Sequence, residues 1–301
     1  VGFRLGTPDD DAKIVALSNA HFGTPLTLED WQWFVYGNPN GVNRIYIMES
    51  EGEMAGCYCV FPTVAKVGDR RYATGFPHHL IIQKPYRSAQ AFVDFSEFMF
   101  EHERQRGTEL LITAPNKNSY HPQKTLAGWS DFGEMGSLYK PVSGIQYHRC
   151  TPVAEFAGAF ESLICIASAE TAFYFEKSAS WLNWRYMQRP SDPYIAFSFH
   201  DSRLEGFIVV KHWRRKAHII DWWALTGNAM AHLLAAAETY ATDRELDLWC
   251  ITGYPYREYL KYLDYKIRET PQPIIVRALD GSTPPLLSGR ASFMYGDGDG
   301  Y

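Results

Sequence analysis

The sequence predicts an α/β protein of two consecutive domains, residues 1–145 and 146–301, each a mixed, mostly antiparallel sheet flanked by helices. Three observations carry this reading. At 301 residues the chain exceeds the usual size of one compact domain. Its composition, 46% apolar and 15% aromatic with 21% charged residues, can fill large cores and gives no sign of bulk disorder. Finally, one order of elements can be read twice along the chain: helices, two or three antiparallel strands, a long helix, a short apolar strand, a short helix and a last strand.

In the first half, Phe3 to Leu5 reads as a short strand. Asp9, Asp10 and Asp11 then sit where a helix start favours negative charge, ahead of the apolar Ile14, Leu17 and Ala20. Thr27, followed three residues later by Asp30, is close to a capping box and opens a helix carrying Trp31, Phe34 and Val35. Arg44 to Glu49 and Met54 to Val64 read as strands around a Ser50-Glu51-Gly52-Glu53 turn. A third strand runs from Ala73 to Ile82. After the Pro85-Tyr86-Arg87 turn, a helix from Ala89 to Gln105 places Phe92, Phe95, Phe98 and Met99 on one broad face, and Gly107 ends it. Leu110 to Ala114 has the pattern of a central parallel strand. A short helix after Asn116 and a strand from Phe132 to Tyr139 complete the half.

The second half repeats the order. Pro152 to Phe175 is expected to be mostly helical, and Ser180 to Met187 forms another helix. Ile195 to Phe199, Gly206 to Trp213 and Lys216 to Trp223 read as strands, followed by a helix from Ala229 to Ala241. Leu246 to Ile251 is a strand, Arg257 to Leu263 a short helix and Ile274 to Ala278 the final strand. The linker falls near Pro141 to Pro152.

Charge and cysteine usage narrow the function classes. A net charge of -5 argues against a general phosphate-backbone binder, although a local basic groove is compatible with it. Five scattered cysteines give no disulfide framework and fit a reducing compartment. Cys57 and Cys59 are two apart in a strand, so they share a face and read as packing residues rather than metal ligands. No apolar run is long enough to span a membrane, and VGFRLGTPDDDAKI is not a signal sequence. The expected location is cytoplasmic, with the absent initiator Met read as processing or trimming.

Local motifs then point to a family. Ile81 to Arg87, IIQKPYR, is similar to a central strand end followed by a V-x-P-x-Y-R turn. Ala114 to Tyr120, APNKNSY, matches a strand–Asn–small-residue step after a long helix, and Gly128-Trp129 stands where a Gly-Phe pair is usual. With the element order, these features resemble the Gcn5-related N-acyltransferase superfamily over about residues 3–140, and more loosely over 165–280. The closing stretch Phe293 to Gly300, FMYGDGDG, resembles the aromatic–Gly-Asp-x-Asp tail of bacterial tandem members.

The resemblance implies acetyl-CoA or another acyl-CoA as co-substrate, with no metal. It places the pyrophosphate over the early helical amides of Ser88, Ala89, Gln90 and Ala91, which lack intrahelical acceptors, with Arg87 adding a charge-assisted contact. The pantetheine arm would run along Leu80, Ile81 and Ile82 against Leu110–Ala114, with Asn116 and Ser119 at its side. Two positions depart from the family's glycine-rich loop: Ser88 and Gln90. The Gln90 side chain could crowd the phosphates, or it could donate an amide hydrogen bond to them. In the second half, Thr226 to Asn228 could cap the following helix with Gly227 allowing close approach; this loop is a weaker candidate for the coenzyme site than for a wall of the acceptor pocket or a scaffold.

Acyl transfer to an amine needs a base for the nucleophile and a proton for the departing thiolate. His78 and His79 are candidate bases, and strand alternation predicts that only one of them faces a given cleft. Tyr120 is the candidate proton donor, although the family's usual tyrosine position holds Gln123 or Lys124. Asp221 could anchor an ammonium acceptor, with His218 three residues away on the opposite face. Tyr254, Tyr256, Tyr259 and Tyr262 could stack on a substrate.

The leading expectation is an N-acyltransferase, most simply an N-acetyltransferase, acting on a small-molecule amine such as an amino sugar or an amino-acid-like metabolite. The alternatives are a non-catalytic small-molecule-binding protein that keeps the fold, and an aminoacyl-tRNA-dependent transferase, which the net charge disfavours. No membrane partner is expected, and the sequence leaves the oligomeric state open.

Overall fold

The computed structural model describes residues 1–22, 25–191, 193–213, 215–242, 244–285, 287 and 289–298. Asp299 and Gly300 of the closing motif lie outside these residues. The chain divides into two compact units: Val1–Ala65, Arg70–Phe132 and Pro273–Leu286 form unit 1, and Lys66–Asp69, Gly133–Gln272 and Leu287–Tyr301 form unit 2.

Unit 1 opens with β1 (Gly2–Leu5), α1 (Asp11–Phe22) and α2 (Leu28–Tyr36). Thr27 starts α2 as expected, its hydroxyl accepting from the Asp30 amide at 3.0 Å and donating to the Asp30 carboxylate at 2.7 Å. The strands β2 (Arg44–Ser50), β3 (Glu53–Val67) and β4 (Arg70–Ile82) follow, then α3 (Ala89–Gln105), β5 (Leu110–Thr113) and α4 (Lys117–Leu126). Sheet order is β1-β2-β3-β4-β5, with β4 and β5 parallel as expected.

Period-two alternation gives this sheet two cores. Tyr46 and Met48 face α3 with Phe95, Met99 and Phe100, whereas Ile45 and Ile47 face α1 and α2 with Ile14 and Trp31. Cys57 and Cys59 both pack in the second cluster, on one face of β3. Burial pushes the Cys57 thiol up to about 12, so it packs as a neutral group. One buried charge ties α3 to the sheet: Glu103 accepts from Tyr46 at 2.5 Å and Thr108 at 2.7 Å, and takes both ends of the Arg44 guanidinium.

Unit 2 contains β6 (Ser130–Pro141, from Gly133 on), β7 (Thr151–Pro152), α5 (Gly158–Ala167), β8 (Phe173–Phe175) and α6 (Ala179–Leu182). It continues with β9 (Ile195–His200), β10 (Leu204–Trp213), β11 (Lys216–Ala224), α7 (Gly227–Tyr240), β12 (Glu245–Ile251) and α8 (Arg257–Tyr262). Strand order is β6-β12-β11-β10-β9-β7, again with one parallel pair, β11 and β12. The 152–175 region is less helical than its composition suggests. Only Gly158–Ala167 is helix, and Phe173–Phe175 is a strand whose three side chains are all buried. The helix read over 180–187 ends in a π turn, Asn183–Met187.

The last strand of each half is not where the sequence reading puts it. Ser137 and Leu138 of β6 pair with Trp249 and Leu248 of β12 in unit 2. Ile275–Ala278, the end of β13 (Lys266–Ala278), pairs with β5 in unit 1, Val276 opposite Ile112. Unit 2 thus takes the strand that ends the first half, and unit 1 takes one from residues 273–286. Among the described residues, no helix is long and apolar enough to cross a membrane.

Candidate functional site

The end of β4 carries the unusual backbone. His79 has φ +49°, a left-handed conformation that breaks the strand's alternation. The imidazoles of His78 and His79 therefore meet, Nδ1 to Nδ1 at 2.6 Å, instead of pointing to opposite faces. This corrects the expectation that only one of them could face a given cleft. At that distance one ring donates its N–H to the lone pair of the other, so the pair shares one proton at this contact. Aromatic edges surround them: Phe34 lies 5.1 Å from His78, and Trp31 and Phe22 lie 5.5 and 5.8 Å from His79. Gly56 lets β3 pass close by, since a Cβ there would stand 2.5 Å from the Ile81 carbonyl oxygen.

Beyond this point β4 and β5 part. Their registered pairing covers only Thr74–Gly75 with Leu110–Leu111, and Thr113 Oγ1 then donates to the Pro77 carbonyl at 2.9 Å. A cavity of about 390 Å³ lies past the strand ends. Of the residues expected to hold the donor, Leu80, Ile82, Arg87, Ser88, Asn116 and Ser119 line it, joined by His21, Phe92 and Asn118, whereas Ala89, Gln90 and Ala91 do not. Among the described residues no carboxylate lines it, and Arg87 is a cation at its wall. Ile81, on the other face of β4, lines a second cavity of about 370 Å³ with Leu17, Ala20 and Lys84; His21 and Arg87 border both.

The start of α3 is organised by its own side chains. Ser88 caps the helix, accepting from the Ala91 amide at 3.0 Å, so that amide is already occupied. The Ala89 and Gln90 amides, at the first two helical positions, have no intrahelical acceptor. The Gln90 side chain donates along the helix to Asp94 at 2.7 Å, so it neither crosses the loop nor reaches toward it. Arg87 is held by its Nε, which donates to the Ile82 carbonyl at 2.7 Å. These features fit a bound anion: two open amides, one fixed guanidinium and a small cap residue.

Asn116 caps α4, its side-chain oxygen accepting from the Asn118 and Ser119 amides at 2.9 and 3.1 Å. Tyr120 lies outside the cavity wall. Its hydroxyl donates to Asp131 at 2.8 Å and accepts from Lys124 at 3.3 Å, and Lys124 pairs with Asp131 in turn. Gln123, one of the two residues expected at the resembled family's tyrosine position, is buried and donates to the Tyr58 hydroxyl at 3.4 Å.

In unit 2 two of the predicted substrate residues, Asp221 and Tyr254, are buried in the core. Asp221 is fully buried and accepts from Lys177 Nζ at 2.6 Å and from the Tyr186 hydroxyl at 2.9 Å. The ammonium it anchors is the chain's own. Burial works against the Lys177 charge, but Asp221 and Asp297 outweigh it and raise its pKa. Ile220 is an extra residue in the ladder, so His218 and Asp221 stand two ladder positions apart and alternation no longer separates their faces. The buried Tyr254 donates to the Trp222 carbonyl at 3.2 Å. Tyr256 donates to the Ala224 carbonyl at 2.8 Å, Tyr259 is half-buried on α8, and Tyr262 is 84% exposed.

Sequence reasoning missed His21 and Lys177. Lone residues of this kind carry no spacing signal. A signal was present elsewhere, in a shared W-x-x-[F/W]-x-Y pattern: Trp31, Phe34 and Tyr36 on α2, and Trp181, Trp184 and Tyr186 across α6 and its π turn.

No protein-family model matches the sequence, and no curated protein matches it. Solved structures do. A Gcn5-related N-acetyltransferase from Anabaena variabilis superposes with a TM-score of 0.72 at 16% identity, over 92% of this chain and 73% of that one. A conserved protein of unknown function from Enterococcus faecalis gives 0.71 at 13% identity, over 93% and 73%. A Gcn5-related N-acetyltransferase from Kribbella flavida gives 0.67 at 15% identity, over 93% and 71%. At such identities the likeness is one of architecture, and it establishes that the chain has the α/β, mixed-sheet fold of the Gcn5-related N-acyltransferases.

Proposed function

We propose that the protein is an N-acyltransferase that moves an acetyl or other acyl group from coenzyme A to the amine of a small molecule, with the donor seated in unit 1. The observation that carries this reading is the cavity past the ends of β4 and β5, lined by Arg87, Ser88, Asn116 and Ser119 and, among the described residues, by no carboxylate; the Ala89 and Gln90 amides open α3 directly after the lining residue Ser88. The fold, shared with proteins named N-acetyltransferases, supports it.

In this reading the Ala89 and Gln90 amides and Arg87 hold the pyrophosphate, while Leu80, Ile82, Asn116 and Ser119 flank the pantetheine arm. The bound thioester supplies the acyl carbon: the amine nitrogen bonds to it as the carbon–sulfur bond breaks. His79 takes the proton lost by the amine and returns it to the sulfur, and His78 orients it through their Nδ1 contact. Tyr120 stays with Asp131 and Lys124 and is assigned to structure rather than to proton donation. The acceptor approaches from the α1–α2 face, where His21 and Arg87 border both cavities; an amino sugar or amino-acid-like amine is the preferred class.

We also read the chain as a tandem of two such domains, 1–145 and 146–301, with their last strands exchanged. Element order and the W-x-x-[F/W]-x-Y pattern support this.

Calorimetric titration with acetyl-CoA and longer acyl-CoAs tests the proposal. Arg87→Glu should weaken binding about tenfold or more. His79→Gln should keep binding and slow turnover about 100-fold. Failure of every acyl-CoA to bind at sub-millimolar concentration would sink the enzyme reading and favour a non-catalytic binding protein.

A further inference from the structure

The parting of β4 and β5 in unit 1 has a counterpart in unit 2. Strands β11 and β12 pair in parallel from Lys216 with Glu245 to Ile219 with Leu248, and no further. Past that point the edge of β12 is occupied. Met294 bridges Cys250 in antiparallel fashion, and the Ile251 amide donates to the Phe293 carbonyl at 2.9 Å.

On the β11 side, Gly296 sits where a Cβ would stand 3.0 Å from the Ile220 carbonyl oxygen and 2.2 Å from the Tyr186 hydroxyl. Only glycine allows that approach. Asp297 reaches the same Lys177 ammonium that Asp221 holds, at 2.8 Å, and accepts from the Met294 amide at 2.7 Å. Arg185 donates to the carbonyls of Gly296 and Gly298 at 3.3 and 2.8 Å. Phe293 and Met294 are buried, and the Ala291 and Ser292 amides donate to Gly253 and Phe173.

We infer that the 291–298 segment is a built-in occupant of the unit 2 groove. It meets the edge of β12 through the single Met294–Cys250 bridge, turns through a 3₁₀ helix at Tyr295–Asp297, and is locked by the Lys177–Asp221–Asp297 ion network. The Gly-Asp motif is then explained as the part of that occupant which must pass between Tyr186, Ile220 and Lys177. The consequence rests on the donor reading of unit 1: coenzyme A binds once per chain, in unit 1, because the equivalent gap in unit 2 is already filled by the chain.

Hydrogen exchange of the whole chain, read by mass spectrometry with and without coenzyme A, tests this. Peptides covering 249–252 and 291–298 should exchange at least about a hundredfold more slowly than unstructured chain, whether or not the ligand is present. Coenzyme A should add protection only around 80–92 and 116–119. Exchange at the free-chain rate in 291–298, or a ligand-dependent change there, would overturn the inference. Absence of ligand protection at 80–92, with 291–298 still slow, would refute the donor site alone and leave the filled groove standing. Gly296→Ala should speed exchange of 291–298 about tenfold or more while leaving 80–92 unchanged; a segment indifferent to that methyl group would not be packed as described.

Discussion

At the residue scale, His218 on β11 couples burial to pH. Removal from water holds its imidazole neutral, with the pKa pushed down to about 4; Asp247 and Glu245 pull it upward, while Lys216 and Lys211 add to the depression. In the unfolded chain the same ring takes up its proton near pH 6.5. Stability from this group is therefore complete above about pH 6.5 and is lost as pH falls toward 4, by up to about 3 kcal/mol. Urea unfolding midpoints of the wild type and of His218→Gln, compared between pH 7 and pH 4.5, should converge as the pH drops. Curves that stay parallel would mean that other groups carry the acid branch. Below this window Asp10, held down to about 2 chiefly by its hydrogen bonds with Arg4, gives a further loss as pH falls from about 4.

At the scale of elements, the start of α3 keeps its first amides open without glycine, as the proposed phosphate seat requires. Ser88 satisfies the Ala91 amide, the Gln90 side chain turns onto Asp94, and the Ala89 and Gln90 backbone amides stay open. Ser88→Ala should cost about 1 kcal/mol of stability, measured by chemical denaturation, because the cap is lost; no change would mean that water replaces the hydroxyl at no cost. The helix itself was legible, from Ala89 to Gln105, because its apolar spacing and terminal Gly107 agree, although its cap Ser88 was read as a helical position. The two bulges were not. A histidine at positive φ and an extra isoleucine in a ladder leave no mark on hydrophobic alternation, so His78 with His79, and His218 with Asp221, were assigned to opposite faces. The 152–175 region misled for a different reason. Phe156, Phe160, Leu163 and Ile164 carry a helical spacing, but the three-residue strand Phe173–Phe175 is too short to show a period of its own.

At the scale of the whole molecule, the order of elements was readable but the partner of each last strand was not, because strand pairing across more than a hundred residues has no local signature. That exchange makes a testable demand on folding. In unit 1, Leu110–Thr113 of β5 is buried along its whole length, and its edge pairs with Ile275–Ala278. A chain ending at residue 145 lacks that partner, so it exposes the backbone edge of a wholly buried strand together with the apolar surface that Ile275 and Leu279 cover. It also carries Gly133–Pro141 without β12, the strand on which that segment pairs. Expressed alone, residues 1–145 should aggregate or unfold without a cooperative transition, as followed by circular dichroism and size-exclusion chromatography. Supplying residues 273–286 in cis, fused through a flexible linker after Phe132, should restore a cooperative fold, because that rearranged chain contains every segment of unit 1. A monomeric 1–145 fragment that unfolds cooperatively and binds acyl-CoA as tightly as the full chain would show that β5 needs no partner from the far end of the sequence.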